Sequence, residues 1–104
     1  MNVRMERREG EIIVSLEGEI DLANAAVVDA EIRGVLDEES RVVIDLSATS
    51  YIDSAGLRLL FALARSVGER LSVVLPESSP LRRVISMVGL GKVTTVRESL
   101  ADRA

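Results

Sequence analysis

Apolar and polar positions alternate along this chain with a period that changes several times, and each change marks an element. Val3 and Met5 alternate with Arg4 and Glu6, which predicts a strand over Val3–Arg8. Glu9-Gly10 suits a tight turn, because glycine tolerates positive φ. Glu11–Glu17 is a clearer strand with Ile12, Val14 and Leu16 on one face, and Gly18 is expected to close it. The period then lengthens. From Leu22 to about Asp37, Ala25, Val28, Ile32, Val35 and Leu36 recur at helical spacing, with Asp21 placed as N-cap. Arg41–Leu46 returns to period two, and residues 47–52 read as a polar loop interrupted by Tyr51 and Ile52. Asp53 or Ser54 caps a second helix to about Val67, with Leu57, Leu60, Ala64 and Val67 as its inner stripe. Arg70–Leu75 is the next strand, ended by Pro76. Ser79-Pro80 starts a third helix carrying Leu81, Val84, Ile85 and Val88, which Gly89 stops. Val93–Val96 is a short β-prone run, and the remainder is expected to form a terminal helix.

Regular strand–helix alternation from Glu11 onward implies an α/β fold with parallel pairing through right-handed crossovers. Crossovers of one hand that step in one direction place their helices on one face of the sheet. The strands agree. Ile12, Val14, Leu16, Val42, Ile44, Leu46, Leu71, Val73 and Leu75 form a wholly apolar set, whereas the opposite set mixes Ile13, Val43 and Val74 with Glu11, Ser15, Asp45 and Ser72. A sheet buried on both faces would be apolar on both. The expectation is two layers, a mostly parallel sheet with an N-terminal antiparallel edge strand and helices on one side, as a single domain over residues 1–104.

Composition narrows the function classes. The chain carries a net charge of -4, which disfavours nucleic acid or anionic lipid as main partner. It has no Cys and no His, so disulfides, thiol nucleophiles, imidazole bases and the usual zinc ligand sets are excluded together. The charged amino terminus lacks a signal peptide's apolar segment. The longest apolar run, Leu59–Ala64, is far short of the roughly 20 residues that span a bilayer. A cytoplasmic location fits these features.

Parallel crossovers bring every segment that leaves a strand's carboxyl end to one rim, where binding sites of such sheets usually lie. Asp21, Ser54 and Ser79 should share that rim, and helix N-termini there suit an anion. Other chemistry is poorly supported. Gly89-Leu90-Gly91-Lys92 fails as a phosphate loop, which would need Gly at Ser86 and Ser or Thr at Val93. Asp21 and Asp53 are explained by capping and Asp45 lies within a strand, so no metal site or cofactor is expected. A serine nucleophile would need a base, and none is placed by a motif. An enzyme is not expected.

One string stands apart. Arg41-Val-Val-Ile-Asp-Leu-Ser47 is followed by Tyr51-Ile-Asp53-Ser54-Ala-Gly-Leu57, with Gly18-Glu-Ile-Asp21 before it and Val88-Gly-Leu90 after it. In this order and spacing the segments resemble the signature of the STAS-type bacterial anti-sigma factor antagonists, a likeness that spans about Val3 to Leu100. The resemblance implies a phosphorylation-controlled, partner-switching regulator of transcription. Its unmodified form would bind an anti-sigma factor that is also a serine kinase, releasing a sigma factor. Phosphorylation of Ser54 would dissociate the complex, and a serine phosphatase would reverse it. Asp21, Asp53, Ser54, Gly56 and Leu57 are the implied partner-binding residues. For Gly56, close partner approach and tight packing of helix onto sheet both remain open. Two further readings stay beside this one: a STAS subunit of a lipid ABC transporter or of a stress-sensing assembly, and a small hydrolase or nucleotide-binding enzyme.

Overall fold

A computed structural model describes residues 1–101. Six strands, β1 (Asn2–Arg8), β2 (Glu11–Ile20), β3 (Arg41–Asp45), β4 (Thr49–Ile52), β5 (Leu71–Val74) and β6 (Thr95–Arg97), form one sheet. Three helices, α1 (Ala25–Arg33), α2 (Ser54–Val67) and α3 (Arg82–Met87), connect them. The order across the sheet is β1-β2-β3-β5-β6, with β4 pairing on β2. Among the described residues only β1 runs antiparallel to its neighbour, through a turn in which Gly10 takes φ 77°. The remaining pairs are parallel.

The stepping from β2 to β3 to β5 to β6 in one direction places all three helices on one face, as the apolar pattern requires. Ile12, Val14, Leu16, Val42, Ile44, Val73 and Leu75 join Val28, Ile32, Leu60, Leu63 and Ile85 in a single core. On the other face, the buried apolar cluster among the described residues is Ile13, Val43 and Val74, packed with half-buried Leu100. Asp45 lies on that second face beside Ser47, whose amide and hydroxyl both donate to its carboxylate.

Several boundaries differ from the sequence expectation. Gly18 does not close β2. It takes φ 104° at a register shift, and the strand continues to Ile20 by leaving β3 and pairing with β4. The segment read as a polar loop therefore contains that extra strand. Its inward residues are Thr49 and Ile52, and the Thr49 hydroxyl donates to the Leu16 carbonyl at 2.6 Å.

The first helix is shorter than expected, covering Ala25–Arg33. Gly34 follows it, and the Asp37 carboxylate then captures the Glu39 and Ser40 amides in a turn that competes with helical bonding. Val35 and Leu36 still pack on the core from outside the helix. In α2, Leu59 and Leu63 join Leu60, Ala64 and Val67 in the interior, while Leu57 is half-buried. The third helix begins at Arg82 rather than Pro80. The Ser79 hydroxyl accepts from the Leu81 amide in a turn before it. Gly89 ends that helix with φ 74°, and Val88 is exposed rather than inward. Residues 98–101 contain no helix, and the rest of the expected terminal helix lies outside the described residues.

Candidate functional site

The rim is built where β2 and β4 end side by side. Ile20 and Ile52 are register partners, so the next residues, Asp21 and Asp53, leave the sheet together. The Asp53 amide donates to the Ile20 carbonyl at 3.1 Å. Its carboxylate reaches both ways. One oxygen accepts from the Ala55 and Gly56 amides at 2.8 and 3.1 Å, capping α2. The other accepts from the Leu22 amide at 3.0 Å, in the loop that leads to α1. One carboxylate thus caps a helix and fastens the two rim loops to each other. The Gly56 amide is the chief reason that the Asp53 carboxyl titrates below the usual carboxylate range. The Leu22 and Ala55 amides and the Arg58 charge add to this, and partial burial opposes it. Asp53 is ionised at neutral pH.

Asp21 is present at the rim, but not as the cap of α1. Its carboxylate accepts from the Ala23 amide at 3.0 Å, and its carbonyl accepts from the Asn24 and Ala25 amides. Asn24 precedes the helix, and its side chain turns back to the Asp21 amide and the Glu19 carbonyl instead of forward to α1. A loop tied to itself in this way needs no forward cap.

Ser54 is the first residue of α2 and is exposed. Because Asp53 takes the cap, the Ser54 hydroxyl is not spent on it, and among the described residues it makes no hydrogen bond. Beyond the amide of Ser54 itself, the first-turn amides are not open to a ligand, contrary to the sequence expectation. Those of Ala55 and Gly56 are held by the Asp53 carboxylate, and that of Leu57 by the Asp53 carbonyl.

Gly56 faces inward. A Cβ there would lie 2.5 Å from Ile52 Cγ1, 3.0 Å from Ile20 Cγ2 and 3.1 Å from the Ile20 carbonyl oxygen. Close packing of helix onto sheet explains this glycine. Around Ser54 the rim carries apolar surface that the sequence pattern did not mark. Leu22 is 78% and Tyr51 52% exposed. Leu22 falls on the helical stripe by spacing and would have been buried had α1 begun there. Tyr51 carried a visible signal, as an aromatic in a polar stretch. Ser79 follows the carboxyl end of β5 on the same rim, but its hydroxyl is engaged by Leu81.

With this geometry in view, comparison with known proteins is decisive for the family. The profile of the STAS domain matches residues 2–103. The chain belongs to the STAS domain family. No curated protein sequence matches it at a significant level. Among solved structures, an anti-sigma factor antagonist from Mycobacterium paratuberculosis is 32% identical, with a TM-score of 0.86 over 97% of this chain and 88% of that one. The Bacillus cell fate determinant SpoIIAA in its phosphorylated form is 20% identical, with a TM-score of 0.65 over 94% of this chain and 93% of that one. The same fold occurs within a much longer protein, the murine anion transporter Slc26a9, at 18% identity and a TM-score of 0.72, covering 92% of this chain but 17% of the transporter. Among the described residues of this STAS domain, no helix is long and apolar enough to cross a membrane. No group of three or more acidic side chains there could hold a metal ion.

Proposed function

We propose that this STAS domain is an anti-sigma factor antagonist switched by phosphorylation of Ser54. In its unmodified form it binds an anti-sigma factor with serine kinase activity in the cytoplasm and so releases a sigma factor. Transfer of the γ-phosphoryl group of ATP to the Ser54 hydroxyl ends that binding, and a serine phosphatase restores it. The chain itself acts as ligand and substrate, not as an enzyme.

The observation that carries this reading is the division of labour at the start of α2. Asp53 caps the helix, leaving the neighbouring Ser54 hydroxyl exposed and unengaged. A serine needed only for capping would have its oxygen on the first-turn amides. Asp21, Leu22 and Tyr51 supply a mixed acidic and apolar surround for a partner, while Gly56 and half-buried Leu57 position the helix on the sheet. A phosphate buried in such an interface without compensation costs several kcal/mol, and every 1.4 kcal/mol is about tenfold in affinity.

The test begins with the protein that co-purifies with the unphosphorylated chain. Incubated with that partner and ATP, the chain should gain one phosphate on Ser54 by mass spectrometry. Ser54→Ala should take up none and still bind in calorimetry, whereas Ser54→Asp should bind at least tenfold more weakly with an unchanged circular dichroism spectrum. Asp21→Ala should weaken binding more than Glu38→Ala, which lies in the turn before β3 at the opposite rim. Phosphate found on Ser78 or Ser79 with Ser54 unmodified would overturn the proposal.

A further inference from the structure

We infer that Arg58 is the intramolecular partner of the Ser54 phosphate, a charge clasp within α2 that sets the electrostatic state of the switched-off form. The inference rests on the proposed phosphorylation of Ser54 and goes beyond it to the question of what holds the phosphate. The usual answer, the free amides of a helix N-terminus, is mostly closed here, with the Ser54 amide alone left in the first turn among the described residues. Asp53 has already taken the Ala55, Gly56 and Leu57 amides. The same carboxylate is ionised and pinned on three amide donors, those of Leu22, Ala55 and Gly56, so it cannot swing away from a new dianion on the adjacent residue. One amide does not balance a dianion set beside an ionised carboxylate, so further compensation has to come from a cation.

Arg58 stands four residues beyond Ser54 in an uninterrupted helix. Residues i and i+4 lie on the same helix face with Cβ atoms about 5–6 Å apart, and acid before base is the favourable order. Both residues are exposed. Among the described residues the Arg58 guanidinium makes no hydrogen bond or ion pair, in contrast to Arg33, which is held by Asp29 at 3.0 Å on the neighbouring helix. Arg58 already lies close enough to the helix start to stabilise the Asp53 carboxylate. A guanidinium fork matches phosphate oxygens bidentately, which an ammonium does not. In the phosphorylated chain the unpaired Arg58 guanidinium closes on the phosphate, the stronger anion beside Asp53.

The test uses the full chain with phosphoserine installed at position 54 during translation, as wild type, Arg58→Gln and Arg58→Lys. The readout is the second ionisation of the phosphate followed by 31P NMR. Arg58→Gln should raise that pKa by about 0.2–0.4 relative to wild type, because the dianion loses its counter-charge. Arg58→Lys should fall between the two. Identical titration curves for wild type and Arg58→Gln would overturn the clasp. Since Arg58 is exposed, the variants should share one circular dichroism spectrum. A parallel incubation of unphosphorylated wild type with its kinase separates the two ideas. If Ser54 stays unmodified there while the installed phosphate still responds to Arg58, the switch falls and the pairing stands.

Discussion

Gly56 offers a sharp test of how this rim is assembled, because replacing it with alanine adds a single methyl group at a known place. The new Cβ would sit 2.5 Å from Ile52 Cγ1 and 3.0 Å from Ile20 Cγ2, and these side chains can turn away at some cost. The third contact decides the sign. The Ile20 carbonyl oxygen, 3.1 Å from the new Cβ, is backbone held in place by the Asp53 amide, so it cannot retreat without loosening the rim. Overpacking of this kind costs about 1–3 kcal/mol, and alanine in place of helical glycine returns at most about 1 kcal/mol. The net loss should be about 1–2 kcal/mol, lowering the melting temperature by roughly 5–15 °C for a domain of this size. Gly34→Ala is the control. Its Cβ would meet only the Ala30 and Glu31 carbonyls at 3.4 and 3.5 Å, so that variant should be neutral or stabilised by up to about 1 kcal/mol. Thermal and urea denaturation of both variants checks the pair. Equal melting temperatures for Gly56→Ala and wild type would refute the packing argument.

Other outcomes follow from the same geometry. The Asp53 carboxyl titrates below its unfolded value of about 3.9, so its contribution to stability is present above that pH and is lost as pH falls through the lower folded value. Urea unfolding at pH 7 and pH 3 should therefore show a smaller difference for Asp53→Asn than for wild type, and equal differences would remove this account. Thr49→Val should cost about 1–2 kcal/mol by removing a buried hydroxyl donor from the Leu16 carbonyl, read from the urea midpoint at unchanged m-value. Ile44→Ala, at a fully buried position in the central sheet, should cost about 2–5 kcal/mol in the same assay.

Much of this molecule was legible before folding. Period-two runs locate strands wherever one face is buried and the other is wet, which is why Ile12, Val14, Val42, Ile44 and Val73 were found on one face. The right hand of the crossovers follows from chain chirality, and the single apolar strand face implies that they step in one direction, so the helices' common face and the shared rim of Asp21 and Ser54 were legible in the sequence. The Asp53-Ser54 step was visible as a helix start because capping is a contact between residues two or three apart.

What remained hidden depends on contacts between residues far apart in sequence. Thr49–Ile52 has no strand periodicity of its own, with only its first and last residues buried. It becomes β4 because β2 bends at Gly18 and offers a new edge thirty residues away in sequence. Likewise, α1 ends early because Asp37 folds its own turn against Ser40, while Arg70 reaches across from a later element to the Asp37 and Ser40 carbonyls. At the rim, the residue types were plain in the sequence, but their division of labour was not. A carboxylate can cap, clamp or stand free, and only the register of Ile20 against Ile52 brings the Leu22 amide to Asp53. Local pattern determined which residues meet the core and where helices start. Long-range pairing decided that Asp53, already the cap of α2, also fastens the Leu22 loop to the rim.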